Sequence, residues 1–399
     1  MHDDADLPGA RDLRDTRGLS EGPGFPYERL RRFPDVEAPN LQAWDATDQL
    51  LAERGIAEAA QRSLEGREIA VVGDAYGAIS LRLAAAGLTG VRVHEDLVTG
   101  REAMARNALA LGLNGVQRQC ELDRELLDGA RLVLLQLPRG LAELEEIADA
   151  VARWAAPDVV VVAGGRVKHM TLAMNGVLGA CFREVRAELA VRKSRLIVAE
   201  GQLGVPERPR FPVASVHDDV GLTLCAHGGA FAGERLDLGT RFLLGFLGRI
   251  PEGAAVDLGC GTGALAAAYA LAHPGASVVA TDRSAAAARS ARATMDANGI
   301  ADRVVVEYDD AASSREAGSA DVVLLNPPFH LGASVHAGAA LKLIDAGARL
   351  LRPGGELWTV YNSHLDYRRQ LEESVGPTSV EGRSRKFTVT RSVRRIPTA

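Results

Sequence analysis

The sequence predicts an α/β protein made of two doubly wound parallel sheets in tandem. Three observations predict it. Short Val-, Ile- and Leu-rich runs alternate with helix-length segments along most of the chain. A run is twice followed by a glycine-bearing turn and a helix, at "VVGDAYGAI" and at "VDLGCGTGALAAA". A shift of 186 residues then lays Gly259 on Gly73, Gly263 on Gly77 and Asp282 on Asp96, while Asp257 falls on Val71 and Gly261 on Ala75. This pattern is an internal duplication whose first copy has lost chemistry that the second keeps. At 399 residues the chain has material for two cores, and its 47% hydrophobic and 25% charged content is that of a globular protein.

In chain order, residues 1–25 are polar and rich in Gly, Pro and Asp, and are expected to form a disordered leader. Order should begin near Leu30 and run into an amphipathic helix carrying Leu41, Trp44 and Leu50. The first α/β unit is expected over 26–205: "REIAVVGDAYGAIS" reads strand, turn and helix, "GVRVHED" a second strand, "ARLVLLQLPRG" a third and "DVVVVAGG" a fourth. Residues 206–222, broken by Pro206, Pro209 and Pro212, read as a linker. The second unit, 223–399, repeats the pattern with a polar residue at each strand end. These are Asp257 before the glycine loop, Asp282 after "ASVVAT", Asp309 and Asp310 after "RVVVEY", and Asn326 after "ADVVLL". At an offset of 190, Asn326 falls on Gln136, Pro327 on Leu137 and Phe329 on Arg139.

Composition removes several classes of function. The net charge of -6 gives no bulk attraction to nucleic acid, so RNA binding would need local patches. The candidates are Arg29, Arg31 and Arg32; Arg192, Lys193 and Arg195; and Arg383, Arg385, Lys386, Arg391, Arg394 and Arg395. The four cysteines form no CxxC pair and no metal-ligand spacing, so no metal is expected and they read as reduced thiols of a cytoplasmic protein. No apolar run reaches membrane-spanning length, and "MHDDADLPGARD" lacks the features of a signal peptide.

The chemistry concentrates at Asn326-Pro327-Pro328-Phe329. The prolines force the chain out of the sheet in a rigid turn at the carboxyl end of a strand, where open α/β sheets bind ligands. Asn326 Oδ1 and the Pro327 carbonyl can each accept a hydrogen bond from a planar amine, and Phe329 offers a face for stacking. No strong base is needed if the electrophile is a sulfonium-bound methyl group. Gly259, Gly261 and Gly263 let the backbone turn tightly and approach a ligand. Asp257 suits a nearby cation, Asp282 lies where a carboxylate accepts ribose hydroxyls, and Asp309 or Asp310 can accept an adenine amine. Asp237 to Thr240, in "LDLGT", reads equally as a cover for one end of the cofactor or as a capped helix start. His330 is a candidate proton acceptor or a structural hydrogen-bonder.

With these residues in view, the second half resembles a class I S-adenosylmethionine-dependent methyltransferase, through "VDLGCGTG" and "NPPF". The duplicated layout resembles bacterial ribosomal-RNA guanine-N2 methyltransferases. "LRRFPDVEAPNLQAWDATDQLL", "GDAYGAIS", "FAGERLDLGTRFLL", "NPPFH" and "NSHLDYRRQLEESVG…RKFTV" are similar to the large-subunit (23S) branch of that family. The resemblance implies two tandem Rossmann-like domains with seven-stranded mixed sheets, the N-terminal one degenerate and either RNA-binding or structural. It also implies S-adenosylmethionine bound through Asp257, Gly259, Gly261, Gly263, Asp282, Arg283, Asp309, Asp310 and Asn326, with guanine held by Asn326, Pro327, Pro328 and Phe329. The implied protein is a cytoplasmic monomer acting on 23S ribosomal RNA. The rivals are the 16S branch, N-methylation of adenine N6, cytosine N4 or protein glutamine, an NAD-dependent oxidoreductase, and a non-catalytic RNA-binding protein.

Overall fold

The computed structural model describes residues 24–328 and 334–396. The expected leader therefore lies outside the described residues except for its last two, of which Phe25 packs edge-on against Tyr27 at 4.8 Å. The first helix, α1 (Ala46–Arg62), starts later than the apolar spacing suggested, because Asp45 accepts from Thr47 N at 2.6 Å and closes a capping box with Asp48. Leu41 and Trp44 precede it, and Trp44 packs on Tyr27. Gly55 lets α1 lie flat on the sheet, since a Cβ there would sit 2.6 Å from Leu134 Cδ1.

The first sheet contains β1 (Ile69–Val72), β2 (Val91–His94), β3 (Gln117–Gln119), β4 (Leu132–Gln136), β5 (Val160–Arg166), β6 (Phe182–Ala187) and β7 (Ser194–Gln202). Its order is β3-β2-β1-β4-β5-β7-β6, parallel from β3 to β5, with β7 antiparallel to both its neighbours. Helices α2 (Ser80–Ala85), α3 (Val98–Ala110), α4 (Arg124–Leu127), α5 (Leu141–Trp154) and α6 (Leu172–Gly179) connect the strands. β1 is buried throughout, as a parallel strand covered by helices on both faces must be.

The stretch expected as a linker contains β8 (Val213–His217) and leads into β9 (Leu222–Ala226), which form an antiparallel hairpin. β9 is tied to the second unit: Thr294 Oγ1 accepts from Cys225 N at 3.0 Å and Asn298 Oδ1 accepts from Thr223 N at 3.0 Å. Helices α7 (Leu238–Leu244), α8 (Ala264–Ala272), α9 (Ala285–Ala297), α10 (Ser334–Leu350) and α11 (Arg368–Ser374) accompany the second sheet. Its strands are β10 (Ala255–Leu258), β11 (Val278–Asp282), β12 (Val304–Tyr308), β13 (Ala320–Leu325), β14 (Leu351–Asn362), β15 (Thr378–Arg383) and β16 (Phe387–Val393). The order, β12-β11-β10-β13-β14-β16-β15, repeats that of the first sheet. Both units are the seven-stranded mixed sheets that the resemblance implied.

Strand register sharpens the repeat and corrects one equivalence. Val72 pairs with His94 and Leu258 with Thr281, so Asp282, next after Thr281, stands where Glu95 stands and not where Asp96 does. The local bonds agree: Glu95 Oε1 accepts from Leu97 N at 3.0 Å, and Asp282 Oδ1 from Ser284 N at 2.9 Å. The two units meet through these same loops in a near-symmetric exchange, with Val98 N donating to Arg283 O and Ala285 N to Asp96 O, both at 2.9 Å. Glu146 completes the junction, accepting from Gly228 N at 2.7 Å and lying 2.6 Å from His227 Nδ1.

Candidate active site

The site is built at the carboxyl ends of β10, β11 and β13. β10 delivers Asp257, which is 1% exposed and whose Oδ2 accepts from Ala266 N at 2.9 Å, fixing the start of α8. Burial pushes this carboxyl up to about 7, with a smaller contribution in the same direction from Asp282. The chain then turns through Gly259, Gly261 and Gly263 with φ of 77°, 56° and 78°, a conformation that favours glycine. Gly263 is also needed for space, since a Cβ there would meet Met295 Cε at 2.7 Å. A Cβ at Gly261 would meet nothing within 4 Å, so the loop presents bare backbone.

At the end of β11, Asp282 Oδ2 accepts from Gly261 N at 2.9 Å and so tethers the loop to the neighbouring strand. Burial raises its pKa, against the hydrogen bonds from Ser284 and Gly261. One cleft, of about 50 Å³, is lined by Asp257, Gly259, Gly261, Asp237, Thr240 and Asn326 among others. The glycine loop and Asn326 thus share a site. Bare loop backbone flanked by buried carboxyls fits an adenosyl cofactor that carries a cationic amino-acid end.

Asn326, one residue past β13, is held by α7. Its Nδ2 donates to Asp237 Oδ2 and to Thr240 Oγ1, each at 2.9 Å. Asp237 Oδ2 also accepts from Thr240 N at 2.9 Å as the N-cap of α7. A carboxylate can only accept, so the amide nitrogen must face Asp237. The opposite atom, Asn326 Oδ1, is buried and has no partner among the described residues. Such an orphan acceptor costs about 1–3 kcal/mol until a donor reaches it.

The other expected residues divide. Pro327 is buried and Pro328 exposed, while Phe329 and His330 lie outside the described residues. Asp309 is occupied by its own turn, accepting from Ser313 Oγ at 2.6 Å and from Ser314 N and Oγ at 2.9 and 2.8 Å. Burial would raise its pKa, but these bonds outweigh it and hold the group low. Asp310 pairs with Lys342 of α10. Arg283 follows Asp282 at the junction with the first unit, its Nη1 3.5 Å from Asp35 Oδ1. Asp237 and Thr240 lie in the cleft as expected of a cofactor cover, yet they also grip Asn326, a role that sequence spacing does not reveal.

A larger cavity, about 300 Å³, opens where the matching strand ends of the first unit meet the second, with Gly73, Glu95, Gln136 and Glu143 on one side and Arg289 of α9 on the other. Its size is no guide to chemistry. Asp74 has moved into the loop and caps α2, accepting from Ile79 N at 3.1 Å and Ser80 N at 2.8 Å. Burial pushes Glu95 up to about 8, so it offers no firm anionic anchor near neutral pH, and raises Glu143 to about 7, as it does Asp257. One trace of the second site survives, in that Gln136 Nε2 donates to Asp48 Oδ1 at 3.1 Å and Oε1 has no partner among the described residues.

No helix among the described residues is long and apolar enough to cross a membrane. No group of three or more His, Cys, Asp or Glu that could hold a metal ion occurs among them.

Two family models match the chain. Residues 221–391 match the methyltransferase small domain, and residues 25–203 match the RLMG N-terminal domain. A Streptomyces coelicolor protein named ribosomal RNA large subunit methyltransferase G is 35% identical over 385 residues, which cover 92% of this chain and 97% of that protein. A Pseudomonas paraeruginosa protein of the same name is 36% identical over 351 residues, covering 86% and 91%. Among solved structures, a T. thermophilus 16S rRNA N2 G1207 methyltransferase in complex with AdoMet and guanosine matches with a TM-score of 0.69. It covers 88% of this chain and 92% of that one at 23% identity, a likeness of fold.

Proposed function

The chain belongs to the ribosomal RNA large subunit methyltransferase G family, and from that membership we propose that it moves the methyl group of S-adenosylmethionine to the exocyclic N2 of a guanine in 23S ribosomal RNA. The guanine rests on that family membership, and the observation that carries the amine chemistry is Asn326, whose Oδ1 is buried with no partner among the described residues while its nitrogen is fastened to Asp237 and Thr240. A substrate N–H satisfies that oxygen.

S-adenosylmethionine supplies an electrophilic methyl on a sulfonium. Asp282 and the backbone of Gly259 to Gly263 would hold its adenosyl end, with Asp310, once released from Lys342, for the adenine amine, and Asp257 would face its ammonium. Asn326 Oδ1 and the Pro327 carbonyl accept the two N–H bonds of the guanine amine. Holding both draws the nitrogen lone pair out of conjugation and aims it, so that positioning and polarisation supply the rate enhancement. As the new N–C bond forms the sulfur–methyl bond breaks, its electron pair staying on sulfur to leave the neutral thioether S-adenosylhomocysteine, and the amine gives up one proton to solvent. The target base must be unstacked to enter the cleft, which points to a loop or a melted stem. The protein acts in the cytoplasm as a monomer. Purified protein incubated with labelled S-adenosylmethionine and a 23S transcript tests the reading. Label should appear as N2-methylguanosine after digestion to nucleosides, and label on adenine, cytosine or protein instead would reject the guanine assignment.

A further inference from the structure

The sequence offered three sets of basic residues as RNA contacts, and the structure separates them by what each side chain already holds. Arg32 pairs with Asp35 at 3.0 Å, and Arg29 donates to Ala110 O at 2.9 Å. Arg192 reaches Gln49 and Glu53 at 3.3 and 3.9 Å. In the C-terminal set, Arg391 pairs with Glu356, while Arg394 donates to Ser374 O at 3.0 Å and Arg395 to Glu373 O at 3.1 Å. Lys193 likewise has no partner among the described residues, whereas Arg383, Arg385 and Lys386 stand together in that state. All three are exposed, and their side chains make no hydrogen bond or ion pair with any described residue.

Arg383 ends β15, Arg385 and Lys386 sit on the turn to β16, and strand register places that turn beside the reaction centre. Leu325, next to Asn326, pairs with Thr359 of β14, and three residues further along β14 Asn362 pairs with Phe387 at the start of β16. The turn therefore rises about 10 Å past the Asn326 level and lies two strand spacings, about 10 Å, to one side. Ser363 N donates to Lys386 O at 2.8 Å, and Ser384 Oγ accepts from Phe387 N at 2.9 Å, so the turn is tied to its neighbours. Phe387 links it to the site: a Cβ built on Gly239 would be 3.3 Å from Phe387 Cε1 and 3.5 Å from Asn326 Oδ1.

We infer that the β15–β16 turn is the RNA-backbone grip of this enzyme, with Arg383, Arg385 and Lys386 binding phosphates within a nucleotide or two of the guanine held at Asn326. An unpaired, exposed cation cluster on a tethered turn beside a base pocket matches the backbone of a single strand. That strand needs charge neutralisation near the unstacked nucleotide and no base-edge reading there. The inference rests on the proposed function, and it explains how a chain of net charge -6 holds a polyanion.

The test compares Arg385→Ala/Lys386→Ala with a charge-matched control, Arg183→Ala/Lys193→Ala. The control residues are exposed on the first unit and have no partner among the described residues. Equilibrium binding of a labelled single-stranded RNA is measured from 50 to 200 mM salt, alongside methylation. Each lost phosphate contact lowers the slope of log K against log salt by about 0.7. The test pair should therefore flatten it by about 1.4, so that its deficit against wild type narrows about sevenfold across that range. KM for RNA should rise, with kcat and S-adenosylmethionine affinity unchanged. A slope equal to that of wild type, or one shared with the control pair, overturns the inference. Salt-dependent binding that runs through the turn without any methylation by wild-type protein would keep the grip and overturn the proposed reaction.

Discussion

Replacing Asp237 by Ala should lower kcat by about tenfold to a hundredfold while leaving the S-adenosylmethionine dissociation constant within about threefold. Asp237 Oδ2 holds two donors at 2.9 Å, Asn326 Nδ2 and Thr240 N. A hydrogen bond to a charged group is worth about 1.5–3 kcal/mol, and 1.4 kcal/mol is a factor of ten in rate. Without Asp237 the amide keeps only Thr240 Oγ1 and can turn its nitrogen toward the substrate amine, where donor would meet donor. The lost helix cap lowers stability by about 1 kcal/mol, or about 2–4 °C in Tm for a unit of this size. Asp237→Asn, whose Oδ1 can still accept both bonds, should recover most of the rate. Single-turnover kinetics at saturating cofactor, calorimetry with S-adenosylmethionine and a melting curve separate the terms. The reasoning is refuted if Asp237→Ala keeps its single-turnover rate, or if the whole loss appears in cofactor affinity, which would make Asp237 a cover for the cofactor and nothing more.

Further expectations follow from the same site. Asn326→Ala should abolish methyl transfer and bind S-adenosylmethionine with near-normal affinity by calorimetry; turnover within tenfold of wild type would remove Asn326 from the mechanism. Asp257 has its folded-state pKa raised to about 7 from an ordinary 3.8, so the folded form binds the extra proton and stability falls as pH rises from about 4 to 7, then levels off. Asp257→Asn should therefore raise Tm at pH 8, by an amount equivalent to at most about 4 kcal/mol, and do nothing at pH 4. It should also weaken cofactor binding, and wild-type affinity should itself drop about fivefold from pH 7 to pH 6 as the cation's partner is neutralised. Unchanged Tm at both pH values would contradict this account of Asp257. Gly263→Ala places a Cβ 2.7 Å from Met295 Cε at a φ of 78°, and should destabilise by about 1–3 kcal/mol in urea titration.

Much of the architecture was legible because it is written in local pattern. Val322 to Leu325 and Ala255 to Leu258 are short apolar runs closed by glycine or proline, and both are strands. The duplication was legible at Gly73 and Gly77, which share the positive φ of Gly259 and Gly263. It slipped at Asp96, because one additional residue between the glycine loop and the end of the second strand leaves the hydrophobic pattern intact, and only the ladder shows that Glu95 is the counterpart of Asp282. β8 was hidden by three nearby prolines that signal a loop. The start of α1 was set by a side-chain cap at Asp45, which the apolar spacing through Leu41 and Trp44 does not record.

Within the site, residue types were legible and their partners were not. "LDLGT" announces a helix cap, but the bond from Asn326 to Asp237 spans 89 residues and follows from how α7 packs against β14 and β16, beside the end of β13. Arg391 and Arg385 are equally basic in sequence; one is neutralised by Glu356 across β14 and the other is free of any described partner. Asp309 and Asp310 are adjacent, yet the first is taken by its own turn and the second by Lys342.

The most direct test of the central claim uses ribosomal RNA from a strain lacking this gene, incubated with labelled S-adenosylmethionine and either wild-type protein or Asn326→Ala. The account predicts N2-methylguanosine in large-subunit RNA with wild type and none with the variant. Label in small-subunit RNA, or equal label with both proteins, would contradict it.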